Sequence, residues 1–143
     1  MLNLEKNFFK KRILIYGLGK SGLSAYSFLK KSNVISLFDD QIITKKIIKN
    51  IHTTYNEITK NKFDCIIISP GIDINKCSLS KFLNNNSKKI YTDLDIFYNH
   101  HEKNNKITIT GTNGKSTTAK ILYDVLKDQK VDVRLVGNIG NPV

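Results

Sequence analysis

The sequence predicts an α/β protein in which a doubly wound parallel sheet is followed by the beginning of a second α/β unit. Short apolar runs alternate with segments of helical periodicity, as in parallel strands joined by crossover helices. The first three runs stop at glycine, aspartate and serine. A polar stretch at residues 102–105 then precedes a new strand, glycine loop and helix pattern.

Four strands are predicted in the first unit, three of them apolar runs of the kind that is buried on both faces. They cover residues 12–16, 34–38, 63–68 and 89–91. Helices are predicted at residues 20–31, 42–50 and 78–85, with Ser78 as the candidate N-cap of the third. A fourth helix is expected to begin with Asp93 as its cap. Its shared face would carry Leu94, Phe97, Tyr98 and His101.

The polar linker at residues 102–105 predicts a domain boundary, with residues 1–101 as the first domain and residues 106–143 as the incomplete start of another. Residues 106–110 and 131–136 predict strands. The helix between them carries an apolar stripe at helical spacing, formed by Thr118, Ile121, Leu122, Val125 and Leu126. Strand, helix and strand alone leave their faces uncovered, so this region is expected to open a larger domain.

The composition predicts a globular, cytoplasmic protein. Hydrophobic residues make up 40% of the 143, enough for a buried core. The sequence has no apolar run of 18 residues, and its first residues lack the apolar stretch and cleavage site that a signal peptide would have, so none is expected. A net charge of +11 would suit nucleic acid if the lysines were clustered, but they are scattered. We therefore expect a monomer with a solvated basic surface and no nucleic-acid or membrane partner.

Neither a metal centre built from histidine and cysteine nor a disulfide is predicted. Cys65 and Cys77 lack CxxC spacing, which favours reduced thiols. His52, His100 and His101 lack metal-ligand spacing and are expected on the surface or on a helix face.

The clearest functional motif is a glycine-rich loop between a predicted strand and a predicted helix. It comprises Gly111, Thr112, Asn113, Gly114, Lys115, Ser116 and Thr117. Backbone N–H groups of such a loop and of the helix N-terminus point at nucleotide phosphates. Lys115 adds a positive charge, and the Ser116 hydroxyl is a ligand for the Mg²⁺ that bridges the outer phosphates. The pattern GxxxxGK[ST] would need glycine at Ile109, so this loop is a shorter variant.

The loop therefore predicts ATP and Mg²⁺ as cofactors and Lys115 as a catalytic residue. The alternative is a tight turn before a helix, without a ligand.

A second glycine motif, Gly-Leu-Gly-Lys-Ser-Gly at residues 17–22, follows the first predicted strand, and Asp39 lies about twenty residues further on. Taken alone this pattern predicts NAD. A UDP-linked substrate would satisfy it equally well, because both ligands offer a diphosphate and a ribose. A third turn, Ser-Pro-Gly-Ile at residues 69–72, follows the third strand, at the edge where open parallel sheets bind ligands.

The loop at residues 110–117 resembles that of the Mur ligases, which add amino acids to UDP-linked peptidoglycan precursors, and folylpolyglutamate synthases carry a similar loop. With the turns at 17–22 and 69–72 and Gly-Asn-Ile-Gly-Asn-Pro at 137–142, nearly the whole chain resembles the Mur branch that adds D-glutamate to UDP-N-acetylmuramoyl-L-alanine. This resemblance implies a Rossmann-like UDP-substrate domain followed by a P-loop ATP domain. The D-glutamate domain would lie beyond residue 143.

The resemblance also implies roles for individual residues. The diphosphate would meet Gly19, Lys20 and Ser21, the uracil would meet Asp39 and Gly71, and Asn138 would contact the substrate near its phosphate end. The family pattern has a hydroxyl residue and then a basic residue where this chain has Asp40 and Gln41.

The implied reaction is ATP-dependent amide synthesis for the cell wall, and hence for cell shape and division. The substrate carboxylate would become an acyl phosphate that the D-glutamate amine attacks. This chain alone is expected to bind ligands without turnover. The alternatives are a UDP-N-acetylmuramate:L-alanine ligase, an NAD-binding Rossmann protein, and a regulatory or remnant module that keeps only the sugar-nucleotide pocket.

Overall fold

The computed structural model describes residues 8–41 and 53–137. The chain divides into two compact units, Met1–His101 and Glu102–Val143. The helix predicted at residues 42–50 lies outside the described residues, as does His52. Within the described ranges, no helix is both long enough and apolar enough to cross a bilayer.

A parallel four-stranded sheet forms the centre of the first unit. Its strands are β1 (Arg12–Tyr16), β2 (Val34–Phe38), β3 (Cys65–Ile68) and β4 (Ile90–Tyr91), in the spatial order β2-β1-β3-β4. The predicted α/β class with a parallel sheet is confirmed. Because β2 and β3 lie on opposite sides of β1, the carboxyl ends of β1 and β3 form the switch point at which open α/β sheets bind ligands.

Helices cover both faces of the sheet, because successive side chains of each strand point to opposite sides. The helices are α1 (Lys20–Leu29), α2 (Tyr55–Lys60), α3 (Ser80–Asn85) and α4 (Asp93–His100). α1 and α4 bury Ala25, Leu29 and Ile96 on the face that carries Ile15 and Ile67. On the opposite face α2 and α3 bury Ile58 and Leu83 against Leu14, Tyr16 and Ile66.

Helix α2 was not predicted, although the sequence contains its signal. Thr54 is the N-cap, and its backbone N–H and hydroxyl both donate to the Glu57 carboxylate at 2.7 Å. The Glu57 N–H donates back to the Thr54 hydroxyl at 3.4 Å. A Thr-x-x-Glu capping box of this kind marks the start of a helix.

The predicted cap of α3 is wrong. α3 begins at Ser80 after Leu79, without a side-chain cap. Ser78 does not cap it, because its hydroxyl donates instead to the Asp40 carboxylate.

The cap predicted for α4 is also wrong. Thr92 is the N-cap, and its backbone N–H and hydroxyl donate to Asp95 at 2.7 and 2.9 Å. The two buried residues of α4 are Asp93 and Ile96, one turn apart. On the predicted shared face, Leu94 and Tyr98 are exposed. Phe97 packs against His101 with 4.8 Å between ring centroids.

The second unit contains the predicted helix but not its predicted strands. α5 (Lys115–Asp128) forms as expected. Residues 106–110 are not in a strand, and residues 131–136 contain only an isolated bridge at Val136. A strand needs a partner to bond to and a layer to pack on. Here Ile107 is 68% exposed, Val131 is 48% exposed, and α5 buries none of its residues.

The capping box predicts a measurable loss of stability. Thr54→Ala should lower the free energy of unfolding by about 1 kcal/mol at pH 7, since it removes the cap of α2. Thr54 holds the pKa of the Glu57 carboxyl below its ordinary value by hydrogen bonding. This contribution is therefore present above the ordinary pKa of Glu57 and is lost as the pH falls through its lower folded value.

Urea unfolding followed by circular dichroism at pH 7 and pH 3 measures both effects. The difference between Thr54→Ala and the unaltered chain should shrink at pH 3. Thr59→Ala is the control, because the Thr59 hydroxyl donates only to carbonyls of its own helix and should be near neutral. Equal losses of unfolding free energy in the two variants would contradict the assignment of Thr54 as the stabilising cap of α2.

Candidate functional site

The turn between β1 and α1 brings backbone N–H groups to the carboxyl edge of the sheet. Gly17 follows β1 with a φ of +90°, which glycine adopts without strain. Its N–H donates to the Phe38 carbonyl at the end of β2, at 2.9 Å. Gly19 is the N-cap of α1 and makes no side-chain cap. α1 therefore starts at this edge and points its N-terminus at the switch point.

Close packing explains why glycine stands at positions 17 and 22. A Cβ on Gly22 would lie 1.8 Å from the Gly17 carbonyl oxygen, and a Cβ on Gly17 would lie 2.8 Å from the Cβ of Ser69. A Cβ on Gly19 would meet no atom within 4 Å. The first and last glycines therefore join the strands and α1, while the middle glycine leaves its backbone open to a ligand.

The N-terminus of α1 is suited to an anion. Among the described residues, the backbone N–H groups of Lys20, Ser21 and Gly22 have no acceptor. No acidic side chain lies in the first turn, and Gly19 and Lys20 are exposed. Three unpaired N–H groups, the helix dipole and the Lys20 charge together favour a diphosphate.

Asp39, the acid predicted to contact uracil, lies directly after β2 and is half-buried. One carboxylate oxygen accepts the Leu18 N–H at 2.6 Å and the other accepts the Gln41 N–H at 2.9 Å. The carboxylate therefore connects the glycine turn to the turn after β2. Each oxygen keeps a further lone pair for a ligand donor.

The Ser-Pro-Gly-Ile turn lies at the end of β3. The Ser69 hydroxyl donates to the Gly17 carbonyl at 2.8 Å, and the Ser69 N–H donates to the Tyr16 carbonyl at 2.9 Å. Ser69 thus ties this turn to the glycine turn. Gly71 is exposed, and a Cβ there would meet no atom within 4 Å, so a ligand can approach its backbone.

The structure brings five of the six residues predicted for the UDP substrate to one edge of the sheet. They are Gly19, Lys20, Ser21, Asp39 and Gly71, which follow β1, β2 and β3. The sixth, Asn138, lies outside the described residues. Their contacts with a ligand remain predictions.

Sequence reasoning missed a hydrogen-bonded group beside this edge. Asp40 accepts hydrogen bonds from the Tyr16 and Ser78 hydroxyls, one on each carboxylate oxygen. Burial raises the pKa of the Tyr16 hydroxyl well above its ordinary value, and the bond to Asp40 raises it further. Tyr16 therefore stays protonated and remains a donor. The sequence held a signal for this group: Tyr16 ends the first apolar run, and Asp39 and Asp40 follow the second run, which was predicted to end at the same edge of the sheet.

The loop at residues 111–117 has the backbone geometry expected of a phosphate loop. Gly111 and Gly114 have φ values of +148° and +74°, in the region that favours glycine. The Lys115 ammonium donates to the carbonyls of Gly111 and Thr112 and so lies against the loop. Among the described residues, the N–H groups of Lys115, Ser116 and Thr117 have no acceptor.

These residues fit the phosphates of ATP, since the start of α5 offers N–H groups, one cation and no acid. For Mg²⁺ the fit is partial. No cluster of three His, Cys, Asp or Glu residues able to hold a metal occurs in the described part of the chain. Ser116 is exposed and can supply one oxygen. Mg²⁺ commonly takes its other ligands from phosphates and water.

The doubly wound sheet and its glycine turn define an α/β protein of the kind that binds a diphosphate ligand at its switch point. A family model described as "Mur ligase MurD-like, N-terminal domain" matches residues 11–90, more than half of the chain. The chain therefore belongs to this family, and the predicted resemblance is confirmed.

Relatives support the same assignment over most of the chain. An enzyme of Rickettsia bellii named UDP-N-acetylmuramoylalanine--D-glutamate ligase is 34% identical over 139 residues, which are 94% of this chain and 31% of that protein. A relative of the same name from Buchnera aphidicola is 39% identical over 147 residues, covering 98% of this chain and 33% of that protein. The chain thus spans about a third of the length of these relatives.

The contact between Gly22 and Gly17 predicts a large loss of stability on substitution. Gly22→Ala places a methyl group against a backbone carbonyl and should lower the free energy of unfolding by about 1–3 kcal/mol or more. The matched control is Gly19→Ala, where the space is open and the change should be below about 1 kcal/mol. Urea midpoints measure both variants, and equal stability of the two would contradict the packing account.

Proposed function

We propose that this chain is the substrate-binding and ATP-loop portion of a cytoplasmic ligase that joins D-glutamate to UDP-N-acetylmuramoyl-L-alanine in peptidoglycan precursor synthesis, with ATP and Mg²⁺ as cofactors. The membership of the first unit in the MurD-like family and the printed names of its relatives support the proposal. The observation that carries it is the carboxyl edge of β1, β2 and β3. There the first N–H groups of α1, which have no acceptor among the described residues, share the edge with the Asp39 carboxylate and the open backbone of Gly71.

The first unit would hold the UDP part of the substrate. The N–H groups of Lys20 and Ser21 would bind the diphosphate, and the Lys20 ammonium would offset its charge. Asp39 would accept a hydrogen bond from the uracil, and the exposed Gly71 backbone would lie along the same base. These residues bind and orient the substrate and do not take part in the bond-forming step.

The second unit would hold the phosphates of ATP. When bound, ATP supplies the phosphoryl group that activates the substrate carboxylate, and Mg²⁺ neutralises charge on the phosphates. The N–H groups at the start of α5 would receive the phosphate oxygens, and Ser116 would offer its hydroxyl to the metal. Lys115 would have to exchange its bonds to the Gly111 and Thr112 carbonyls for bonds to phosphate.

The direct test is calorimetric titration of this chain with UDP-N-acetylmuramoyl-L-alanine and, separately, with NAD. We expect saturable binding of the UDP compound and none of NAD. Gly19→Leu should abolish binding without unfolding the chain, because the new side chain would occupy the open approach to α1. Ser27→Leu, at an exposed position of the same helix, is the matched control. Saturable NAD binding alone would refute the proposal.

The role of Lys115 gives an independent prediction. Lys115→Met should weaken ATP binding about tenfold or more, the size expected for losing a charge-assisted hydrogen bond. Lys120→Met is the control, since Lys120 lies on the same helix and pairs with Asp124. Fluorescent ATP-analogue titration measures both. Equal affinity of the Lys115 variant and the unaltered chain would contradict a phosphate-binding role.

A further inference from the structure

Three side chains are joined by hydrogen bonds across the carboxyl edge of the sheet. Asp40 accepts from the Tyr16 hydroxyl on one oxygen and from the Ser78 hydroxyl on the other. We call Tyr16, Asp40 and Ser78 the Asp40 bridge. Tyr16 is fully buried, whereas Asp40 and Ser78 are exposed. One end of the bridge is therefore anchored in the core and the other lies beside the candidate ligand edge.

The bridge connects two parts of this edge that are not adjacent in the sheet. Asp40 follows β2, and Ser78 lies in the connection between β3 and α3. Because β1 lies between β2 and β3, the bridge passes over the carboxyl end of β1. Tyr16 closes β1, and its ring packs edge-on against Phe38 at 5.3 Å between centroids.

The bridge connects the two segments that carry Asp39 and Gly71, the residues predicted to contact uracil. In the turn after β2, Asp40 is the neighbour of Asp39, whose carboxylate is held by the Leu18 and Gln41 N–H groups. Ser78 belongs to the same β3–α3 connection as Gly71. A bond from Asp40 to Ser78 therefore constrains the separation between Asp39 and Gly71.

The charge and the hydrogen bonds of the Asp40 carboxylate also disfavour direct contact between Asp40 and the ligand. A second free carboxylate beside Asp39 would repel an anionic diphosphate. In the bridge, each oxygen of the Asp40 carboxylate already accepts one hydroxyl hydrogen bond. Both hydroxyl hydrogens are directed at Asp40, so Tyr16 and Ser78 cannot donate them to a ligand at the same time.

We propose that Asp40 is a positioning residue, which through Tyr16 and Ser78 holds the turn after β2 and the connection after β3 at the separation that admits the nucleoside of a nucleoside diphosphate. This assignment rests on the proposed function. It extends that function by naming residues that act on the nucleoside without touching it.

The test compares two probes, UDP and inorganic pyrophosphate, by calorimetry. In the first unit, UDP needs the α1 N-terminus together with Asp39 and Gly71, whereas pyrophosphate needs only the α1 N-terminus. Both probes are titrated into the Lys115→Met chain and its derivatives, so that phosphate binding by the loop at residues 111–117 is weakened. Asp40→Ala and Tyr16→Phe should each weaken UDP binding about three- to tenfold, the range expected for one or two hydrogen bonds, and should leave pyrophosphate binding unchanged. Tyr55→Phe, on a half-exposed ring of α2, is the control and should change neither.

A double variant and a Ser78 variant distinguish a positioning role of Asp40 from a general loss of stability. Tyr16→Phe combined with Asp40→Ala should bind UDP no more weakly than Asp40→Ala alone, because both changes break the same bridge. Ser78→Ala, at an exposed position, should weaken UDP binding even if the Tyr16 variant fails to fold. Parallel loss of UDP and pyrophosphate binding, or unchanged UDP binding in Asp40→Ala and Ser78→Ala, would overturn the positioning role alone. No UDP binding by the unaltered chain would overturn the proposed function as well.

Discussion

The site in the first unit depends on how closely α1 approaches β1. The Gly17 carbonyl oxygen lies 1.8 Å from where a Cβ on Gly22 would be, so only glycine lets the helix come this near. That approach places the first N–H groups of α1 directly after the end of β1. Asp39 and Ser69 then bond to the same turn from the two neighbouring strands. The close packing, the backbone donors and the candidate ligand edge therefore all depend on the short distance between α1 and β1.

The fold of the first unit follows closely from its sequence, because parallel strands buried on both faces leave a strong signal. β1 and β2 occupy the residues predicted for them, and β3 starts at Cys65 instead of Phe63. The wrong predictions concern helix caps and strands that depend on contacts between distant parts of the chain. Ser78 donates to Asp40 and does not cap α3, and the N-cap of α4 is Thr92 instead of Asp93. The strand predicted at 106–110 does not form, and Ile107 is exposed.

The candidate site was predictable in its backbone features and not in its side-chain network. Glycine spacing and strand ends locate the α1 N-terminus, Asp39 and Gly71, because these positions follow from local geometry. The Asp40 bridge joins residues 24 and 38 positions apart. Sequence patterns carry little information about such distant pairs.

We propose that the N-terminus of α1 receives the diphosphate of a UDP-linked ligand. Amide hydrogen exchange of the chain, measured with and without saturating UDP, tests it at individual residues. We predict that the N–H groups of Lys20 and Ser21, which have no acceptor among the described residues, exchange fast without UDP and become protected with it. Unchanged exchange at these two amides under saturating UDP would contradict diphosphate binding at the α1 N-terminus.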